Sequence, residues 1–128
     1  MWRQCLVERL EREPGLIAAY LFGSQGRRTA VEASDVDVGV WLRSTPRRFE
    51  DVPFALAGEL EALLGKRVDI VIMNSASPDL LHRILRDGQI LVDRDRSQRI
   101  QFEVQARNRY FDTRPLRDAY RRAALARP

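Results

Sequence analysis

The sequence predicts an α/β or α+β protein, with a small mixed β-sheet flanked by helices and a helical C-terminal tail. Short apolar runs typical of strands alternate with segments whose apolar residues recur every three or four positions, as on one face of a helix. The chain has 128 residues, the length of one domain, and its 45% hydrophobic and 31% charged residues are ordinary for a globular protein. We therefore expect one domain over residues 1–128, with a core over about 1–93 and the tail over about 95–126.

The first half of the chain contains one predicted helix and two predicted strands. Apolar residues recur every four positions from Trp2 to Leu10, which predicts a helix that ends near Pro14. The continuously apolar run LIAAYLF, residues 16–22, predicts a buried strand. The run DVDVGVWL, residues 35–42, alternates with a period of two and predicts a second strand.

The second half continues the alternation of helix and strand. Four apolar residues predict one face of a helix that has Pro53 near its start and stops at Gly65: Val52, Leu56, Leu60 and Leu63. The run RVDIVIM, residues 67–73, predicts a third strand. Ser77 and Pro78 fit an N-cap and first helical position, so a helix should follow and end at Gly88, before a short strand QILV.

The tail is predicted to consist of two helices. A charged helix should run from about Asp95 to about Asp112, and Pro115 should interrupt it before a short final helix. We expect His82 to be a helix-surface or packing residue rather than a ligand, and Tyr110 and Tyr120 to be packing residues.

Charge and composition limit the classes of partner. The net charge is +4 and almost all of the positive charge is arginine, which suits nucleotide phosphates, nucleic acid or an acidic protein equally well. Lys66 lacks the glycine-rich surroundings of a P-loop lysine. The sequence contains no recognisable RNA-binding module, so we do not expect direct binding to nucleic acid.

The N-terminal residues lack the features of a secretory signal, and no apolar run is long enough to span a bilayer. We therefore expect a cytoplasmic protein without a membrane partner. Cys5 is expected to be a buried free thiol without a functional role.

Three aspartates indicate where the function resides. Aspartate is depleted in strands, yet Asp35 and Asp37 lie in a strand pattern, where they share one face with Gly39. In residues 67–73, Asp69 lies on the face opposite the Val and Ile side chains. If the two strands are neighbours with their Val and Ile faces on the core, the three carboxylates converge.

Convergent carboxylates repel one another, so a cation is expected between them. Carboxylate, water and phosphate oxygens are the ligands that magnesium prefers, and two ions can share such a set. Gly39 fits the same interpretation, because a glycine in a strand often marks close approach by a ligand or by backbone. Alternatively, Asp35 is a turn residue and Asp69 a solvent-facing residue without a shared function.

The spacing of these residues resembles a known active-site signature. Gly23-Ser24, ten intervening residues, Asp35-Val36-Asp37 and a later-strand Asp69 are similar to the pattern of the polymerase-β-like nucleotidyltransferases. The short length resembles the minimal nucleotidyltransferase (MNT) branch, and the segment RYFDTRPLRDAYRR is similar to the usual ending of that branch.

The resemblance implies roles for individual residues. Asp35 and Asp37 would hold two Mg²⁺ ions on the triphosphate of ATP, and Asp69 would hold one of them and accept the proton of the attacking hydroxyl. Gly23 and Ser24 would bind the phosphates, and Arg27 would neutralise the leaving pyrophosphate, with Arg28 a weaker candidate.

The resemblance also implies a partner and a reaction. The protein would be an antitoxin that forms a hetero-oligomer with a HEPN-family ribonuclease toxin and transfers AMP from ATP to a tyrosine of that toxin. Three alternatives remain open at this point: nucleotidyl transfer to a small hydroxyl compound, a non-catalytic antitoxin that blocks its partner sterically, and elongation of a nucleic acid.

Overall fold

The predicted mixed sheet and flanking helices are present in the computed structural model, which describes residues 2–23, 35–48 and 53–126. The elements run in the following order: α1 (Trp2–Glu11), β1 (Leu16–Phe22), β2 (Val36–Leu42), α2 (Phe54–Leu64), β3 (Val68–Ile72), a 3₁₀ turn (Met73–Ser75), α3 (Pro78–Asp87), β4 (Gln89–Asp93) and α4 (Arg96–Ala126). The strand predicted over 16–22 is confirmed in both bounds, and the other strands agree to within one residue at each end.

The sheet has the strand order β3-β2-β1-β4. β1 pairs antiparallel with both β2 and β4, whereas β2 pairs parallel with β3. The parallel pair is joined by the crossover that contains α2, as parallel strands require. β2 and β3 are therefore neighbours, as the convergence of the aspartates requires.

Helices α1 and α2 cover one face of the sheet, which we call the α1/α2 face. Its core is formed by apolar side chains alone, among them Leu6, Leu10, Leu56, Leu60, Val36, Val38 and Val40. Leu63 was predicted to join this core and does not, because 53% of it is exposed. The helix packs along its Leu56, Leu60, Leu64 row, and Leu63 lies on the neighbouring row. Val52 lies outside the described residues.

Helices α3 and α4 cover the opposite face, which we call the α3/α4 face. Its core includes Tyr20, Met73, Ile84 and Ala106. The interpretation of Gly39 as a ligand approach is wrong: a Cβ there would lie 3.0 Å from Met73 Sδ and 3.4 Å from Ile84 Cγ2. The missing side chain lets helix α3 and the 3₁₀ turn pack closely on the sheet.

Local signals at helix ends are confirmed in two places. The Ser77 hydroxyl accepts a hydrogen bond from the Leu80 N–H at 3.3 Å, with Pro78 at the first helical position of α3. Gly65 ends α2 in a left-handed conformation, with φ of 65°.

The prediction that Pro115 interrupts the tail is wrong, because α4 continues through it. Side chains bond two helix carbonyls in the turn that precedes the proline. The Thr113 hydroxyl donates to the Arg109 carbonyl at 2.8 Å, and the Arg117 guanidinium donates to the Tyr110 carbonyl at 2.7 Å. These bonds offset part of the cost of a proline in a helix interior.

Two further observations concern the surface. Cys5 is exposed rather than buried, because the inward side of α1 is occupied by Leu6 and Leu10. None of the helices in the described ranges combines the length and apolar character needed to cross a membrane.

Candidate functional site

The candidate site lies where β1 ends and β2 begins. The last residue of β1, Phe22, pairs with Asp37 in the antiparallel ladder, and Gly23 follows it with a φ of 69°. A left-handed backbone at this position favours glycine, because a side chain would be strained there. Strand β1 therefore ends directly beside the Asp37 side chain.

Gly23 also lies too close to Asp37 to be replaced by a larger residue. A Cβ at Gly23 would overlap the Asp37 carboxylate oxygen Oδ2 and lie 3.2 Å from its Cγ. Two physical reasons thus favour glycine at position 23: the left-handed backbone conformation and the close contact with the Asp37 carboxylate.

The parallel pairing of β2 and β3 brings two of the predicted carboxylates together. Asp37 and Asp69 are register partners, so their Cα atoms are about 5 Å apart. Both belong to the α3/α4 side of the sheet, since Trp41 and Val71 on the same strands pack into that core. Asp35 directly precedes β2 and is exposed.

The charges of the neighbouring carboxylates act on Asp37, the most buried of the three. Partial burial raises the pKa of the Asp37 carboxyl, and the negative charges of Asp69 and Asp35 raise it further. The carboxylates of Asp37 and Asp69 repel each other at the end of the sheet, so a bound cation would stabilise this site.

Asp69 has a cationic neighbour, Arg67. The Arg67 Nε atom lies 3.9 Å from Asp69 Oδ1, and both side chains are at least half exposed. Sequence reasoning missed Arg67, although a spacing of two on one strand places it on the same face as Asp69. An exposed pair at this distance contributes little to stability.

The three carboxylates share one end of the sheet without forming a closed cage. Within residues 2–23, 35–48 and 53–126, no three acidic, histidine or cysteine side chains are already arranged to hold a metal ion. Ser24, Arg27 and Arg28 lie outside the described residues, so their predicted roles remain predictions.

The predictions for three ring-bearing residues have different outcomes. His82 and Tyr110 pack as expected, with stacked rings 3.9 Å apart, and the Arg117 guanidinium carbon lies 4.1 Å from the Tyr110 ring centre. Tyr120 does not pack, since 71% of it is exposed. The reason is that α3 begins at Pro78, whose neighbour Asp79 pairs with Arg117, so no helix among the described residues lies beside Tyr120.

Sequence reasoning also missed a polar network between the sheet and α4. The Tyr20 hydroxyl donates to Glu103 Oε1 at 2.8 Å, and Arg99 bonds both Glu103 and Asp93 at 2.8 Å. Burial raises the pKa of the Tyr20 hydroxyl, and the hydrogen bond to Glu103 raises it further. The partners are as many as 83 residues apart, so no local pattern could reveal them.

Comparisons with known proteins identify the family of the chain. Residues 4–97 match the family model described as polymerase beta, nucleotidyltransferase. A presumed protein adenylyltransferase of Methanocaldococcus jannaschii is 38% identical over 74 residues, which are 58% of this chain and 77% of that protein.

Two solved structures are similar over almost the whole chain. A chain of a toxin–antitoxin crystal structure with AMP-PNP has a TM-score of 0.84 at 26% identity, covering 97% of this chain and 98% of that one. A chain from the structure of the complex between tri-AMPylated Shewanella oneidensis HEPN toxin and MNT antitoxin has a TM-score of 0.79 at 25% identity. The similarity covers 98% of this chain and 97% of that one. These likenesses include the long C-terminal helix, and they confirm the predicted fold.

Proposed function

Because the chain belongs to the polymerase beta nucleotidyltransferase family, we propose that it is an antitoxin that transfers AMP from ATP to a tyrosine of a partner HEPN ribonuclease. The observation that carries the proposal is the register pairing of Asp37 with Asp69 beside Gly23. The proposal draws support from the M. jannaschii relative, from the complex with AMP-PNP and from the tri-AMPylated HEPN toxin in complex with MNT antitoxin.

The donor set fits magnesium. Asp35, Asp37 and Asp69 supply carboxylate oxygens. Partial burial, together with the negative charges of Asp69 and Asp35, raises the pKa of Asp37, and a bound cation would offset both effects. When bound, Mg²⁺ supplies charge neutralisation for the triphosphate and for the reacting phosphorus. Arg67, which pairs with Asp69 here, would release that carboxylate when Asp69 acts as a ligand.

The other residues orient and neutralise the nucleotide. Gly23 places no side-chain atoms beside Asp37, and the following backbone N–H groups and the Ser24 hydroxyl would hydrogen-bond phosphate oxygens. Arg27 would neutralise charge that develops on the pyrophosphate.

The proposed chemistry is an in-line substitution at phosphorus. The tyrosine oxygen of the acceptor forms a bond to the α-phosphorus as the bond from that phosphorus to the bridging oxygen breaks. Pyrophosphate leaves with the bonding electron pair, and Asp69 accepts the phenolic proton. Most of the rate enhancement would come from positioning and charge neutralisation.

The acceptor in this proposal is a protein bound in a hetero-oligomer in the cytoplasm, where ATP is available. Covalent AMP on the partner would neutralise its ribonuclease activity. A purely steric antitoxin would neutralise the same partner without any change in its mass, so mass measurement separates the two mechanisms.

The test combines the purified chain with a HEPN ribonuclease encoded with it, ATP and Mg²⁺, followed by intact-mass measurement of the partner. We expect the partner's mass to increase by one or more AMP units and its ribonuclease activity to fall. The Asp37→Asn variant should leave the mass unchanged, and Asp112→Asn, at an exposed position of α4, should behave as wild type. Neutralisation by the Asp37→Asn variant would favour the steric mechanism and contradict the proposal.

A further inference from the structure

Helix α4 packs on the sheet near its start and extends beyond the body of the protein at its end. From Phe102 onward, positions spaced alternately by four and three residues share one side of the helix: 102, 106, 109, 113, 116, 120 and 123. Phe102 stacks on Trp41 at 4.4 Å and Ala106 is buried, so this side faces the sheet at residues 102–106, whereas Arg109 on the same side is exposed. The same side carries Leu116, Tyr120 and Ala123 in the second half.

In the second half nothing described covers that side. Leu116 is 59% exposed, Tyr120 is 71% exposed and nearby Leu125 is 81% exposed. The last contact with the body is the ion pair of Arg117 with Asp79 at 2.9 Å, and residues 119–126 are all exposed. We call residues 116–126 the arm.

The arm is nevertheless held in helical form at its base. The hydrogen bonds of Thr113 and Arg117 keep α4 continuous through Pro115, and the Arg117–Asp79 ion pair ties the base of the arm to the start of α3. A helix of this length has little stability in water without tertiary contacts. An exposed apolar side on such a segment is typical of a surface that is covered by another protein.

The charge of the arm limits what can cover it. The arm contains Arg117, Arg121 and Arg122 against one acidic residue, Asp118, and the whole chain carries a net charge of +4. Two copies of the chain joined arm to arm would bring these arginines together, which costs free energy. An acidic surface with an apolar groove would pair with both the exposed apolar side chains and the arginines of the arm.

We infer that the arm is the docking helix for the acceptor protein, which presents an apolar groove rimmed by carboxylates to Leu116, Tyr120 and the adjacent arginines. The inference rests on the proposed function for the identity of the partner. It assigns acceptor recognition to a surface separate from the carboxylates, so that binding of the acceptor and transfer of AMP can be measured independently.

The first test is calorimetric titration of the unmodified HEPN partner, without ATP, into the wild type and into the double variant Leu116→Gln/Tyr120→Gln. Glutamine retains helix propensity while removing the apolar contact. We expect the Kd for the partner to rise at least about tenfold, as for loss of an interface anchor. The matched control Val104→Gln replaces an exposed apolar residue on another side of α4 and should leave the Kd unchanged.

A charge variant and the reaction kinetics sharpen the result. Arg121→Glu/Arg122→Glu should also raise the Kd for the partner, and the wild-type Kd should rise with added salt. In the AMP-transfer reaction both arm variants should raise KM for the partner without lowering kcat, and their Kd for ATP should equal that of the wild type.

Hydrogen exchange provides an independent readout. Amides of residues 118–126 should exchange rapidly in the free protein and become protected when the partner binds, whereas ATP alone should protect none of them. Exchange in the arm that is unaffected by the bound partner would overturn the inference.

The outcomes also separate this inference from the proposed function. Arm variants that bind and modify the partner as the wild type does would overturn the docking role and leave the proposed function intact. Arm-dependent binding without any AMP transfer would support the docking role and overturn the proposed reaction. Variants that lose only concentration-dependent self-association in sedimentation would show that a second copy covers the arm, which also overturns the inference.

Discussion

The two faces of the sheet differ in what covers them. The α1/α2 face is closed by apolar side chains along its length, and its three central valines are fully buried. The α3/α4 face is apolar in its middle, but it carries Asp37 and Asp69 at one end and the Tyr20–Glu103 hydrogen bond beneath α4. The difference indicates that the α1/α2 face supplies much of the stability, which allows repelling charges to persist on the other face.

The largest expected effect is on activity and arises on the α3/α4 face. Replacing Asp37 with asparagine should lower the rate of AMP transfer by roughly 10³-fold, because it removes a charged oxygen from the site. The free energy of unfolding should not fall, since the change removes a partly buried charge and its repulsion by Asp69 and Asp35. Initial rates and denaturant unfolding measure the two quantities, and a parallel loss of both would contradict the division between the faces.

The next effect is on stability and arises on the α1/α2 face. Leu60 is fully buried, so Leu60→Ala should lower the free energy of unfolding by about 2–5 kcal/mol through lost burial and a cavity. The matched control Leu63→Ala, on the same helix, should cost much less, because that side chain is half exposed. The rate of AMP transfer per folded molecule should be unchanged in both, and a selective loss of rate in Leu60→Ala would link this face to the site.

A smaller effect is expected at the close approach between β2 and α3. Gly39→Ala should lower the free energy of unfolding by about 1–3 kcal/mol, because the added methyl group meets Met73 and Ile84. Combining it with Met73→Ala should recover part of that loss, since the second change makes space for the methyl group. Additive losses in a double-mutant cycle would show that the contact with Met73 is not the cause.

The smallest effect concerns the hydrogen bond between the sheet and α4. Tyr20→Phe should lower the free energy of unfolding by about 1 kcal/mol near neutral pH, while Arg99 continues to pair with Glu103.

The same variant should change the pH dependence of stability. The pKa of Tyr20 is raised in the folded protein, so its contribution is complete below pH 10, the ordinary tyrosine value, and is lost as the pH rises further. The wild type should therefore lose more stability than Tyr20→Phe between about pH 9 and pH 11. Equal slopes for the two proteins in unfolding experiments over that range would contradict the assignment.

Local sequence determined the elements and the sides on which their residues lie. The apolar run of β1, the alternation of β2 and the Ser77-Pro78 cap depend on neighbouring residues only, so they could be predicted closely. For the same reason the common side of Asp37 and Asp69 followed from the two-residue period of a strand, once β2 and β3 were neighbours.

Only the tertiary structure decided which distant side chains meet. Gly39 packs against Met73, and the Tyr20 hydroxyl bonds Glu103. Leu64 rather than Leu63 packs on the core of the α1/α2 face. Each of these sequence segments allowed other partners. Likewise, Pro115 would end an isolated helix, whereas here hydrogen bonds from Thr113 and Arg117, together with the ion pair to α3, keep it continuous. The physical reason is that backbone preferences act over a few residues, while packing, burial and ion pairs depend on segments that folding brings together.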